Sequence, residues 1–233
     1  LRRIARWVDF EHSYATLENE YIESIWGVFK KIWEKGLMYE GFKSMHICPR
    51  CETPLSNFEV SQGYKDITDL SVTVKFKLLG EKNTYVLAWT TTPWTLPGNV
   101  ALAVGEAIDY VKTKLPNGEF VILGNDRLKI LGEDYEIVKK MKGKNLIGLQ
   151  YEPLFNIKEL QNEKSHRVIS ADFVSTEDGT GIVHTAGMYG EDDFLLCQEK
   201  GLPLVHTVDT SGKFNKLVKK WEGKFPIQFN NFG

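Results

Sequence analysis

Cysteine is scarce in this chain. Cys48, Cys51 and Cys197 are the only three in 233 residues, too few for a disulfide framework and in keeping with a reducing compartment. No apolar run approaches the roughly 20 residues that a membrane helix requires, and the opening LRRIARWVDFEHSY has no signal-peptide layout. These absences argue against a secreted mini-domain and against a membrane protein, and the expectation is a cytoplasmic chain. A formal net charge of −2 leaves no global basic field, so any contact with nucleic acid must rest on a local patch. Internal repeats and low-complexity segments are also missing. The hydrophobic share of 42% is that of an ordinary globular protein, with length enough for one large domain or two small ones.

Residues 16–36, TLENEYIESIWGVFKKIWEKG, set Tyr21, Ile22, Ile25, Trp26, Phe29, Ile32 and Trp33 at helical spacing. Thr16 reads as the opening cap, lysines fall late and Gly36 follows, so the spacing predicts a helix whose aromatic stripe needs a partner surface, with burial inward expected and a surface outside this chain as the alternative. From Val72 the period becomes two: Val72, Val74, Phe76 and Leu78 alternate with polar residues up to Gly80. Further strands are expected at 84–90, 100–104, 108–114, 119–123, 166–173 and 181–186, and short helices at about 124–131, 155–162 and 191–200. The predicted fold class is α+β. A β-barrel-like body over 66–233, with peripheral helices, follows a helical connector over 1–65 that carries Cys48-Pro-Arg-Cys51.

Three stretches carry candidate chemistry. In AWTTTPWTLPGN (88–99), a strand ends in Thr90, Thr91 and Thr92 because Pro93 lacks a ladder donor, and two prolines and a glycine then fix a rigid path. Hydroxyls at such a corner suit a pocket wall. In GTGIVHTAGMYGEDDF (179–194), His184 sits on a strand and Asp193 in the first turn of a helix, where a carboxylate is also favoured simply by the helix dipole. The CxxC pair is half of a four-thiolate zinc site. Lysine clusters in LKILGEDYEIVKKMKGK and KFNKLVKKWEGK are ordinarily solvated faces.

Together with WVDFEHSYATLENEYIESIW, CPRCETPLSNFEVSQGYKD and GLPLVHTVD, the threonine and histidine segments resemble the editing insertion (connective polypeptide 1) of the isoleucyl-tRNA synthetase family, through essentially the whole chain. The valine and leucine enzymes usually carry Thr-Thr-Arg-Pro, and here Thr92 stands at the arginine. The aminoacylation signatures His-Ile-Gly-His and Lys-Met-Ser-Lys-Ser are absent, so charging of tRNA is not expected. The resemblance implies hydrolysis of the ester joining valine to the 3′ end of tRNA(Ile), the second step of a double sieve. An aminoacyl ester is already activated, so a held substrate, a positioned water and oxyanion donors suffice.

Residue by residue, the resemblance gives Asp193 the substrate's α-ammonium and His184, followed by Thr185, the wall that admits valine and rejects isoleucine. Thr90, Thr91 and Thr92 fall to the ester and the water. Thr95, Asn99 and Trp94 are substrate contacts, with Trp89 and Trp94 open to stacking on adenine or to the core. The family segment His-x-Ala-Pro has Gly187 in place of proline, which suggests a looser loop with Met188 and Tyr189 as compensating bulk. No cofactor is implied for editing, and a structural zinc at Cys48 and Cys51 is implied only for the full enzyme. Expected partners are the valine-bearing acceptor end of tRNA(Ile), whose phosphates the lysine clusters can meet, and the rest of the synthetase, with the chain a monomer. Two other readings stay open: a module that captures the aminoacylated end without hydrolysing it, and a zinc-ribbon interaction domain, which predicts a second CxxC that the sequence lacks.

Overall fold

The computed structural model describes residues 3, 9, 12, 14–66, 68 and 70–226. Most of segment 1–13, where the WVDFEHSY stretch begins, lies outside them. The chain forms two compact units, Leu1–Lys43 and Ser44–Gly233. Residues 44–65, grouped with the connector in the sequence reading, belong to the second unit.

The first unit is built on helix α1 (Asn19–Glu34). Its start falls later than the Thr16 cap predicts: Thr16 lies in a turn closed by the Glu18 amide on the Ala15 carbonyl, and the N-cap, Glu18, makes no side-chain capping bond. The predicted inward burial is not realised, because no residue of α1 is buried and Trp26 and Trp33 are 64% and 62% exposed.

The second unit opens with a small hairpin, β1 (Ile47–Cys48) and β2 (Thr53–Pro54), and a short helix, α2 (Asn57–Gln62). Neither was anticipated. Strands β3 (Val72–Lys77), β4 (Thr84–Thr90), β5 (Ala101–Val104), β6 (Asp109–Lys114), β7 (Phe120–Gly124), β8 (Glu136–Lys142), β9 (Arg167–Ser170) and β10 (Val183–Thr185) follow, with helix α3 (Glu191–Lys200) after the last. The expected short helices near 124–131 and 155–162 are 3₁₀ turns, Asn125–Leu131 and Lys158–Leu160.

Pairing runs in a ring. Strand β3 is antiparallel to β4, β4 parallel to β10, β10 antiparallel to β5, and β5 parallel to β9. Bridges Gln150↔Arg167 and Leu78↔Tyr151 then link β9 back to the end of β3, supported by Leu79 N–H to Gln150 O at 2.8 Å and Tyr151 N–H to His166 O at 3.1 Å. These links draw the ends of the sheet together and curl it into a half-barrel, with β8 left as an outer edge. The β-barrel-like body expected from sequence is therefore present. A flap of β7, β6 and β8 continues from β4.

The core inside the ring gathers Phe76, Val86, Leu102, Val104, Tyr110, Tyr151, Val168 and Ile182. A second core lies where Val100 and Ala101 meet Cys197, Leu202, Phe214 and Val218, so β5 is buried on both faces along its whole length. Strand β8 went unread because EIVKKMK is lysine-rich and almost wholly exposed. Lysine on an outermost strand deters pairing with another chain. Among the described residues no helix is long and apolar enough to cross a membrane.

Candidate functional site

The site grows from the carboxyl ends of two neighbouring parallel strands, β4 and β10, in register at Trp89 and Val183. Such ends pass the chain to loops held by a rigid scaffold, which is where reactive groups are most often carried. After Thr90 comes the 3₁₀ turn Pro93–Gly98, which meets β10 where Thr95 reaches His184. After Thr185 the loop 186–190 leads into α3.

The three threonines divide. Thr90 is buried, and its Oγ1 accepts from the Thr92 amide at 3.1 Å and lies 3.3 Å from Thr92 Oγ1. Thr91 and Thr92 are exposed. Alternation accounts for the shared side of Thr90 and Thr92. Thr95 turns inward instead: its hydroxyl donates to the Thr92 carbonyl at 2.8 Å and meets His184 Nε2 at 2.9 Å.

His184 is buried with both ring nitrogens engaged. Nδ1 lies 2.8 Å from Asn99 Nδ2, which also donates to the Ala101 carbonyl at 3.0 Å. Burial lowers the imidazole pKa to about 4, so the ring is neutral at pH 7, and with both nitrogens committed it is a poor general base. Asn99 is equally enclosed, since Tyr151 donates to its Oδ1 at 2.7 Å. Its carboxamide, predicted to meet substrate, is thus occupied by Tyr151, His184 and Ala101. Sequence reading passed over Tyr151, and no motif marks it.

Asp193 is the third residue of α3 and is half-buried. Its Oδ2 accepts from the Ala186 amide at 3.1 Å, which ties the helix start to the chain two residues beyond His184. Burial raises its pKa, with the Ala186 hydrogen bond opposing and Asp192 reinforcing the shift. The carboxylate is therefore held where its charge is poorly solvated, an arrangement that a cation would relieve.

Between them, Gly187 is a point of close approach. A β-carbon there would lie 2.7 Å from both Cys197 Sγ and Leu204 Cδ2. The looser loop expected from glycine is corrected to a tightly packed one that only the smallest residue fits. The Cys197 thiol is fully buried, and burial together with Asp193 raises its pKa to about 12, which rules it out as a nucleophile. Tyr189 closes the loop: its hydroxyl accepts from the amides of Thr207 and Val208 at 2.6 and 2.9 Å, and its ring meets Trp94 edge to face at 4.9 Å. Trp89 packs on Gly179. Thr185 is fully buried, and its hydroxyl has no hydrogen-bond partner among the described residues.

Thus Thr90, Thr92, Thr95, His184 and Asn99 share one continuous set of hydrogen bonds, while Thr91 is exposed and Asp193 joins the end of β10 through the Ala186 amide. The two thiols are elsewhere. Cys48 and Cys51 flank the β1–β2 turn, where amides of Cys51 and Arg50 lower the Cys48 pKa. Their donor chemistry fits two positions of a thiolate metal set, but among the described residues no group of three or more His, Cys, Asp or Glu side chains gathers. Two open clefts lie away from the threonine corner. One, of about 570 Å³, includes Lys82, Lys112 and Lys139, and the other, of about 340 Å³, includes Tyr151, His166 and Arg167.

A family model described as tRNA synthetases class I (I, L, M and V) matches residues 1–221. Isoleucine--tRNA ligase of Clostridium tetani is 50% identical over 95% of this chain and 21% of its own length. The ligase of that name from Bacillus thuringiensis is 48% identical over 95% of the chain and again 21% of the relative. The chain thus spans about a fifth of the curated relatives it matches. A solved P. knowlesi cytosolic leucyl-tRNA synthetase editing domain shares 16% identity at a TM-score of 0.46, covering 56% of this chain and 64% of that one.

Proposed function

Since this chain belongs to the class I tRNA synthetases of the I, L, M and V group, we propose that it is an editing module that hydrolyses the ester between valine and the 3′ end of tRNA(Ile). The observation that carries this reading is the half-buried Asp193 carboxylate, anchored to the backbone two residues beyond a neutral, fully engaged His184. Asp193 supplies the charge for an α-ammonium, and His184 supplies a wall that does not itself move protons.

The chemistry follows from what the residues can and cannot do. With Cys197 buried and protonated and His184 neutral with both nitrogens engaged, the nucleophile is water. It adds to the ester carbonyl, the bond to the ribose oxygen breaks, and the water's proton ends on that oxygen, giving free valine and the 3′-hydroxyl. Asp193 pairs with the substrate ammonium, and that pairing returns its pKa toward the usual carboxylate range. Thr91 and Thr92 present hydroxyls that orient the water and donate to the oxygen on which charge develops. His184 limits the depth available to the amino-acid side chain, so valine enters and isoleucine does not. Trp94, held by Tyr189, and Thr185 shape the neighbouring walls.

The partners proposed are the acceptor end of tRNA(Ile) and the remainder of the synthetase. The lysines of β8 are the phosphate contacts, and Cys48 and Cys51 provide two thiolates of a structural zinc whose other ligands lie outside this chain. The test is release of valine from Val-tRNA(Ile) by the 233-residue chain beside Asp193→Ala, with Ile-tRNA(Ile) as control. Release that depends on Asp193 and spares isoleucine supports the reading. Tight binding of a non-hydrolysable valyl-adenosine mimic without hydrolysis by either protein overturns it in favour of a capture module.

A further inference from the structure

The hydrogen bonds around His184 have a direction that the backbone dictates. The Ala101 carbonyl can only accept, so the Asn99 atom 3.0 Å away must be its NH₂, and the same NH₂ faces His184 Nδ1 at 2.8 Å. Nδ1 therefore accepts, and the ring proton is on Nε2. At the other end the Thr92 carbonyl also only accepts, so the Thr95 hydroxyl gives its hydrogen there, at 2.8 Å, and receives from His184 Nε2 at 2.9 Å. Two independent carbonyls thus select one tautomer. Tyr151 completes the chain by donating to the remaining side of the amide, Asn99 Oδ1, at 2.7 Å.

Tyr151 is itself fixed. It is fully buried, its ring meets Phe76 and His166 edge to face at 5.2 and 5.8 Å, and its amide joins the bridge that closes the ring of strands. We propose that Tyr151 is a positioning residue: acting through Asn99 it holds His184 in the Nε2-protonated form, and through Thr95 that form sets the Thr92 carbonyl and the corner Thr90–Thr92. Its effect on catalysis rests on the editing function proposed above, whereas its effect on the tautomer does not. The relay gives His184 a second task beyond bulk, and it couples barrel closure to the threonine corner by a route of four side chains.

Nitrogen-edited NMR of the histidine side chains reads the tautomer, with His184 assigned by comparison with His184→Gln. The wild-type chain at neutral pH should show one His184 species, protonated on Nε2 with Nδ1 bare; an Nδ1-protonated ring overturns the proposal. Tyr151→Phe keeps the ring and leaves Asn99 Oδ1 without its donor. A second His184 species should then appear, and kcat for Val-tRNA(Ile) hydrolysis should fall about ten-fold with KM held, the size of one misdirected buried hydrogen bond. An unchanged spectrum and unchanged kcat in the folded variant overturn the proposal. Should Tyr151→Phe fail to fold, Asn99→Asp provides the second reading, because a carboxylate has no donor and must draw a proton to Nδ1; a His184 still bare at Nδ1 there overturns it. A wild-type chain that is inert toward Val-tRNA(Ile) yet gives these spectra refutes the editing function alone. An active wild type with an indifferent Tyr151→Phe refutes the relay alone.

Discussion

Helices α1 and α3 use their apolar residues in opposite ways. α1 is strongly amphipathic, with Ile22, Ile25, Trp26, Phe29, Ile32 and Trp33 along one stripe, yet none of its residues is buried. α3 has little pattern, with Leu195 exposed beside buried Leu196, yet it seats Phe194, Leu196 and Cys197 in the barrel unit and carries Asp193. Periodicity states which face of a helix gains from burial, and only packing decides whether that gain is realised. The helix with the plainer pattern is therefore the one that orders the candidate site.

Breaking the α3 side of this comparison should have the largest effect. Phe194→Ala opens a cavity under the site helix and should lower unfolding stability by about 3–5 kcal/mol in a denaturant titration. The acid limb comes next. His184 has a folded pKa of about 4 against an ordinary 6.5, so the folded state disfavours its protonation. Its contribution is complete above about pH 6.5 and is lost as pH falls toward 4, a change on the order of 3 kcal/mol. His184→Gln should flatten that part of the stability–pH curve. Gly187→Ala drives a methyl group against Cys197 and Leu204 and should cost about 1–3 kcal/mol, with Cys197→Ala recovering part of the loss in the double variant. On the α1 side, Trp26→Ala should move the stability of the 233-residue chain by no more than about 0.5 kcal/mol. A loss near that of Phe194→Ala would show that the α1 stripe is buried in solution.

Much of the barrel was legible because its strands alternate cleanly or end on proline and glycine: Val72–Phe76 read as period two, and Pro93 marked the exit from β4. β8 was hidden by its lysines, since an outermost strand facing water on both sides has no apolar rhythm. Closure of the ring was invisible too, because it rests on two single bridges, at Tyr151 and Arg167, that leave no periodic trace. The candidate site was legible where side chains fall in contiguous motifs, as for Thr90–Thr92 and His184–Asp193. Tyr151 could not be found that way. It reaches the site through the barrel interior, from a segment remote in sequence, and its aromatic ring reads simply as core. Gly187 misled for a different reason: freedom of the backbone was weighed, while the decisive property was the room taken by Cys197.

On the proposed editing function, Asp193 is kept half-buried for the substrate's cation and not for stability. Raising its pKa makes the ionised form a cost at pH 7 that is relieved only as the pH falls, because its stabilising contribution is lost as pH rises through the folded pKa. Asp193→Asn retains an acceptor for the Ala186 amide while removing the charge. Measured on one sample at pH 7, the variant should unfold at an equal or higher denaturant midpoint and hydrolyse Val-tRNA(Ile) roughly 10- to 100-fold more slowly, the range for losing a hydrogen bond to a charged group. A variant that loses stability but keeps its hydrolysis rate would contradict the account, making Asp193 a helix cap and leaving the threonine corner without its anchor for substrate.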